Sequence, residues 1–549
     1  MNQKTQAKRG SFRFRLFRRI GRKPVSKRFF TSIIYGYVMT VILLLSVQIA
    51  IMLLFIYWLD PHLQYIFGGF TVLSVIFDIY LINQNEKPEF KIAWIIPVTI
   101  FPLFGILLYF FTKLNVGNYG LRVNLEETKR ESARYLKTDS DVEENLRHWP
   151  QVMDLSYYLQ NSAGNPTYMN TEISYYPCGE QFFEDLKIEL EQARHFIFLE
   201  FFIIGLGFVW NTILAILVKK AAEGVEVRVM WDGIGSLFLL PSGYTSYLAS
   251  LGIQAQIHTP LKPVLTTSQN NRDHRKIIVI DGETAFTGGL NLSDEYMNYT
   301  HPYGYWKDTA VKMHGSSCKS FTAMFLQLWN LDKSGEDWDR YLVAPYADPE
   351  IFYSPKKKSA SNYPSYKGGF AIPYCDDAVN NKDIAEHVYF DILSKARWYV
   401  HITTPYTVLD DELVDLLIYT ARRGVDVTIL VPCKADHFIT FCIGRTYIKT
   451  LVDNGVHVYE YLPGFIHSKM FISDGERAVV GSINLDYRSL YHHFESAVFI
   501  YGNSVIKDIE RDFKKTQAEC REITSALYKK SPVFHRAVGR VFRIFAPLF

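Results

Sequence analysis

The chain has 549 residues, room for about three domains at roughly 150 residues each, and its 21% charged and 48% apolar content excludes a disordered or collagen-like polymer. The net charge of +3 conceals an asymmetry: residues 1–29 carry eleven Lys/Arg and no acid, leaving 48 basic against 56 acidic side chains in the rest. A body at net −8 is a poor match to a nucleic-acid binder. The six cysteines are scattered with no CxxC pair, so neither a disulfide framework nor a structural zinc is expected.

In chain order, a basic tail (1–30) precedes a region (31–113) that reads as membrane-spanning. From Ile33 to Trp58 the chain runs 26 residues without a charge, long enough to cross a bilayer core of about 20 residues and too long for a signal-peptide apolar region. Two more apolar stretches follow. One covers 63–82, with Asp78 and Gly68-Gly69 inside it; the other covers 92–112, with Pro97 and Pro102. The reading is therefore three spans and a multi-pass membrane protein. The basic tail argues for a cytoplasmic N-terminus, yet Lys113, Arg122, Lys129 and Arg130 argue for the same side after the last span. Three crossings cannot satisfy both, so the side of the body stays open.

The body that follows repeats itself. Ala193-Arg194 stands before an apolar run from Phe196, then a helical stretch, then Gly224-Val225 and a β-branched strand. Ala396-Arg397, the run from Tyr399 and Gly424-Val425 restate this about 200 residues later. Strand, helix, glycine turn and strand are the parts of an α/β sheet domain, and a repeat of this length is a duplicated domain. The expected divisions are a first domain over 114–350, a polar linker over 351–365, a second domain over 366–525 and a C-terminal segment over 526–549.

Each half delivers the same residues at the same spacing. His274, Lys276 and Asp281 are followed by Gly288, Gly289 and Asn291; His467, Lys469 and Asp474 are followed by Gly481, Ser482 and Asn484. In both, Asp precedes Asn by ten residues. On a strand, residues two apart share a face, so each His points the same way as its Lys, while Asp281 and Asp474 fall on the opposite face and read as braces for the motif. An imidazole can attack phosphorus or carry a proton near neutral pH, and a lysine beside it is a compact charge for phosphate oxygens. Asn291 and Asn484 can donate side-chain N–H groups to an oxyanion. Two copies across a pseudo-twofold axis would supply both a nucleophile and an acid. No Asp, Glu or Cys ligands stand at the usual offsets from either histidine, so no metal site is expected.

The paired HxKxxxxD motifs resemble those of the phospholipase D superfamily, and with the apolar N-terminal region the chain is similar to the bacterial cardiolipin synthases. The stretch from Ile92 to Tyr109, the segment Tyr305–Asp308 and the end from Arg540 to Phe549 carry the same resemblance. The extra first span and the basic tail depart from the two-span arrangement associated with that family. The resemblance implies two phospholipase D-like α/β domains forming one catalytic unit, with no cofactor and no metal. It further implies that His274 attacks one phosphatidylglycerol, that His467 serves as acid and then base, and that a second phosphatidylglycerol accepts the phosphatidyl group. Lys276, Lys469, Asn291 and Asn484 would hold phosphate oxygens, and Asp308 and Glu495 match the acids that orient the histidines. The partners implied are phosphatidylglycerol and anionic membrane lipids, with no nucleic acid, in a bacterial cell membrane. Hydrolysis with water as acceptor, or a lipid-binding protein without turnover, are the alternatives.

Overall fold

The structure, a computed structural model, describes residues 63–113, 116–169, 171–259, 271–343, 368–380 and 382–548, with residues 46, 49, 50 and 53. The basic tail, nearly all of the first expected span and the linker over 351–365 lie outside the described residues.

Among the described residues from 63 onwards the apolar N-terminal sequence forms three helices: α1 (Leu63–Ile82), α2 (Pro88–Ile100) and α3 (Pro102–Lys113). The expected span over 92–112 is thus not one helix. Pro102 disfavours helical backbone at the residue before it, and Phe101 leaves the helical region at φ −132°, ψ 75°. The chain then folds back, and Gly105 packs so tightly on α2 that a Cβ there would meet the Val98 Cα at 2.6 Å. With 13 residues at about 1.5 Å each, α2 reaches about 20 Å, short of a bilayer core of about 30 Å. No helix among the described residues is long and apolar enough to cross a membrane, so the expectation of a multi-pass region over 63–112 is not supported.

Behind these helices stand two sheets of matching design. The first half contributes β1 (Glu172–Tyr176), β2 (Phe196–Phe201), β3 (Glu226–Asp232), β4 (Gln254–His258) and β5 (Arg272–Asp273). It continues with β6 (Lys276–Ile280), β7 (Thr284–Gly288), β8 (Tyr305–Lys307) and β9 (Ala310–His314). The second half contributes β10 (Phe370–Asp376), β11 (Tyr399–Thr403), β12 (Thr407–Val408), β13 (Asp426–Pro432), β14 (His457–Tyr461) and β15 (Gly464–Ile466). After them come β16 (Met470–Ser473), β17 (Arg477–Gly481), β18 (Leu485–Asp486), β19 (His493–Tyr501) and β20 (Cys520–Glu522). The first sheet runs β1-β9-β7-β6-β2-β3-β4 and the second β10-β19-β17-β16-β11-β13-β14, with β20 added at its edge. Each position in one order has its counterpart in the other. The α/β duplication read from the sequence is therefore present.

The strands are apolar on both faces because both faces are covered. Ile277 and Val279 of β6 turn inward to a core shared with Met470, Ile472, Val480 and Val498 of the second half. Ile278 and Ile280 turn outward to Phe183, Leu186, Trp210 and Leu217 of the helices over 179–192 and 208–222. The shared core joins the halves into one unit.

Two segments depart from the expected boundaries. The helices over 140–146 and 150–163, expected in the first domain, place Val142, Leu146, Val152, Leu155 and Leu159 in the core of the second half. Tyr168 also bridges to Ala371 of β10. Lys87, at the start of α2, is likewise anchored on the second half by Glu386, Glu412 and the Tyr491 hydroxyl.

Candidate active site

The two short strands that precede the motif histidines pair across the halves. β5 lies parallel to β19, with Arg272 opposite His493 and Asp273 opposite Phe494. β15 lies parallel to β8, with Phe465 opposite Trp306 and Ile466 opposite Lys307. The next residue in each case is the histidine. The His274 N–H donates to the Phe494 carbonyl at 2.9 Å, and the His467 N–H donates to the Lys307 carbonyl at 2.7 Å. Backbone pairing between the halves thus fixes both imidazoles at the interface.

The residue after each of those carbonyls is an acid. Glu495 Oε1 lies 2.8 Å from His274 Nδ1, and Asp308 Oδ2 lies 2.6 Å from His467 Nδ1. Each histidine is therefore held by the carboxylate of the other half. Both carboxylates are fully buried and both histidines are 7% exposed. With Nδ1–H donated to a carboxylate, Nε2 of each ring keeps its lone pair for chemistry. Lys469 Nζ also lies 2.8 Å from His467 Nδ1, but an ammonium and an N–H cannot share that contact, so its bond goes to the His467 carbonyl. Lys276 Nζ likewise donates to the His274 carbonyl at 2.6 Å.

Burial dominates the electrostatics. It lowers the Lys276 ammonium to about 7 and the Lys469 ammonium to about 8, against the opposing pull of Glu495 and Asp308. The His467 imidazole falls to about 4, by burial first and the Lys469 charge second, with Asp308 working the other way. Burial followed by the Lys276 charge holds His274 well below its ordinary range, so its ring is neutral and nucleophilic. Burial pushes the Glu495 carboxyl up, opposed by Lys276 and Ser482.

The structure brings together His274, Lys276, His467, Lys469, Asp308 and Glu495. Asn291 and Asn484 are buried with them. The Asn291 Oδ1 accepts from the Ile203 N–H at 3.0 Å, whereas the Asn484 Oδ1 has no partner. Asp281 and Asp474 stand apart from the group, at the far ends of β6 and β16. Asp281 accepts the N–H groups of Arg194, His195 and Phe196, and Asp474 those of Arg397, Trp398 and Tyr399. Each clamps the start of the neighbouring strand, β2 or β11.

Two residues to which the sequence assigns no role complete the site, Ser482 of the second motif and His493. The Ser482 hydroxyl donates to Glu495. His493 lies beside His274, ring centroids 5.5 Å apart, with neither nitrogen hydrogen-bonded. The signal for His493 was its place two residues before Glu495 on one strand face. Trp306 holds the same place before Asp308 and lies 5.1 Å from the His467 ring.

The family model for the phospholipase D-like domain of cardiolipin synthase matches residues 186–329 and 389–517, one match over each motif. A second model, the phospholipase D-nuclease N-terminal segment, matches 71–113. A cardiolipin synthase of a Geobacillus species is 31% identical over 88% of this chain and 94% of its own. The chain belongs to the cardiolipin synthase family of phospholipase D-like proteins. An uncharacterized protein of Streptococcus mutans is 40% identical over 86% of this chain and 99% of its own. Among solved structures, the phosphatidylserine synthase of Haemophilus influenzae superposes with a TM-score of 0.54 at 14% identity, covering 72% of this chain and 98% of that one, a likeness of fold. The family match spans both motifs and the N-terminal helices, so family membership covers the site as well as the sheets around it.

Proposed function

We infer that this chain is a cardiolipin synthase that moves a phosphatidyl group between two phosphatidylglycerol molecules through a phospho-histidine. The observation that carries this reading is the pair of cross-held histidines, each with a lysine two residues on and a carboxylate from the other half. Nε2 of His274 attacks phosphorus. The bond to the glycerol headgroup breaks as the His467 ring, protonated once the phosphate charge offsets its burial, gives that oxygen a proton. His467, now neutral, takes the proton of a second phosphatidylglycerol hydroxyl; that oxygen attacks phosphorus and His274 leaves. The products are cardiolipin and glycerol. Lys276 and Lys469 hold the phosphate oxygens, where fixed donors in a buried site stabilise the transition state most.

Asp281 and Asp474 act at a distance, by tying the far ends of β6 and β16 to the starts of β2 and β11. Membrane attachment through the N-terminal region accords with the apolar side chains that α1–α3 leave exposed, among them Ile76, Ile79, Ile100 and Phe110. Residues 33–58 are the segment long enough to cross. That attachment favours a lipid acceptor over water by keeping both substrates in one plane. The test uses the purified chain in detergent with phosphatidylglycerol as sole lipid, products being read by mass spectrometry. Cardiolipin with an equal amount of glycerol, lost in His274→Ala, is expected. Phosphatidic acid alone would move the function to hydrolysis.

A further inference from the structure

The space beside the first histidine holds more donor atoms than the transfer reaction uses. His493 and Glu495 share a face of β19, and the β5 pairing sets His274 against them. One donor atom from each of the three lies within 4.8 Å of the other two, and all three residues are buried. His493 is 8% exposed, and both its ring nitrogens lack a hydrogen-bond partner, although buried imidazoles ordinarily have one. Its nearest carboxylate oxygen, Glu495 Oε1, is 3.9 Å from Nδ1, beyond hydrogen-bond range. The second histidine has nothing comparable: Trp306, at the matching place, carries an indole N–H with no lone pair to give. The trio escapes a reading by sequence offsets because its ligands come from both halves.

We propose that His274, His493 and Glu495 form an inhibitory site for a transition-metal ion of the Zn²⁺ class. Two imidazole nitrogens and one carboxylate oxygen suit Zn²⁺, Co²⁺ or Ni²⁺, whereas Mg²⁺ and Ca²⁺ favour sets made wholly of oxygen. The Lys276 ammonium, bonded to the His274 carbonyl, works against a cation and makes this a site of moderate affinity.

The consequence for turnover rests on His274 being the nucleophile; the binding does not. An ion on Nδ1 takes the place of the Nδ1–H bond to Glu495. The metal–nitrogen bond forms, the Nδ1 proton leaves, a proton is taken up at Nε2, and no electrons change hands. Nε2 then has no lone pair to offer phosphorus. One bound ion stops the first half-reaction by holding the nucleophile in the wrong tautomer.

The test strips the purified full chain with EDTA and titrates it with Zn²⁺ by calorimetry and with Co²⁺ by visible absorption. Turnover of phosphatidylglycerol is followed alongside. The expected result is one ion per chain, loss of turnover in step with occupancy, recovery on adding EDTA, and no effect of Mg²⁺. His493→Asn and His493→Gln each weaken binding and inhibition at least tenfold, while His492→Asn, next in the chain but outside the trio, changes neither. Equal binding in the His493 variants and the original chain would overturn the site. Binding without loss of turnover would overturn its inhibitory role. The calorimetric and absorption readings need no substrate, so they stand apart from any failure of the transferase reading.

Discussion

The two halves share one strand order and one motif, yet they surround their histidines differently. His467 sits among Trp306, Tyr296 and Phe465, with ring centroids 5.1, 5.6 and 6.1 Å away. His274 has Phe202 at 5.1 Å and, where the indole would be, the imidazole of His493 at 5.5 Å. The orienting acids differ as well. Glu495 takes a hydrogen bond from Ser482, whereas Gly289, at the matching place in the first half, gives no bond but lets the shorter Asp308 fit. A Cβ on Gly289 would lie 2.1 Å from Asp308 Oδ1. The lesson is that a duplicated motif leaves two like histidines in unlike settings, polar around His274 and aromatic around His467, a contrast that suits the nucleophile and proton-carrier roles proposed for them.

The sharpest way to break this comparison is to remove each histidine. His274→Ala and His467→Ala are both expected to lower phosphatidylglycerol turnover by about 10⁴-fold or more, the scale seen when one member of a coupled catalytic set is lost. The next largest effect separates the halves by their acids. Glu495→Gln and Asp308→Asn keep the shape of each acid but favour the wrong tautomer in the histidine of the other half, at a cost of about 10³-fold in kcat. Were the acids to serve their own halves, each substitution would mimic loss of its own motif's histidine, a pattern that a burst assay separates.

Smaller changes sharpen the contrast. Gly289→Ala must displace Asp308, with an expected loss of about 1–3 kcal/mol of stability, read by thermal unfolding, and about tenfold in kcat. Ser482→Ala removes one hydrogen bond to Glu495 and is expected to cost less than tenfold, because the His274 contact remains. The pH dependence should be gentler still. Burial lowers the Lys469 ammonium from 10.5 to about 8, so the charge is full below that pH and is lost as pH rises through it. Lys276, lowered to about 7, loses its charge first, so the kcat/KM of the free enzyme falls above about pH 7 and more steeply above about pH 8, and Lys469→Arg removes the second, steeper limb while leaving the first.

The sequence made the duplicated α/β design and both His–Lys pairs legible, because spacing and parity survive in the linear order. The crossed pairing of His274 with Glu495 and His467 with Asp308 was not legible. It arises from β5 on β19 and β8 on β15, and β5, β8 and β15 are strands of two or three residues that leave no periodicity to read. Order along the chain places the helices over 140–163 with the half that follows them, yet they pack on the other for the same reason: tertiary contact decides. Hydropathy over 92–112 suggested one span, and the break at Pro102, visible as a residue, outweighed it. His493 stood two places from a named acid and was missed because its counterpart, Trp306, has a different chemistry.

Crossed support of a nucleophilic His274 is tested most directly with phosphatidyl-p-nitrophenol, whose leaving group departs without a proton. Rapid mixing of each variant should give a p-nitrophenol burst, one per chain, in His467→Ala and Asp308→Asn, and little or none in His274→Ala and Glu495→Gln. A burst retained by Glu495→Gln and lost in Asp308→Asn would contradict it.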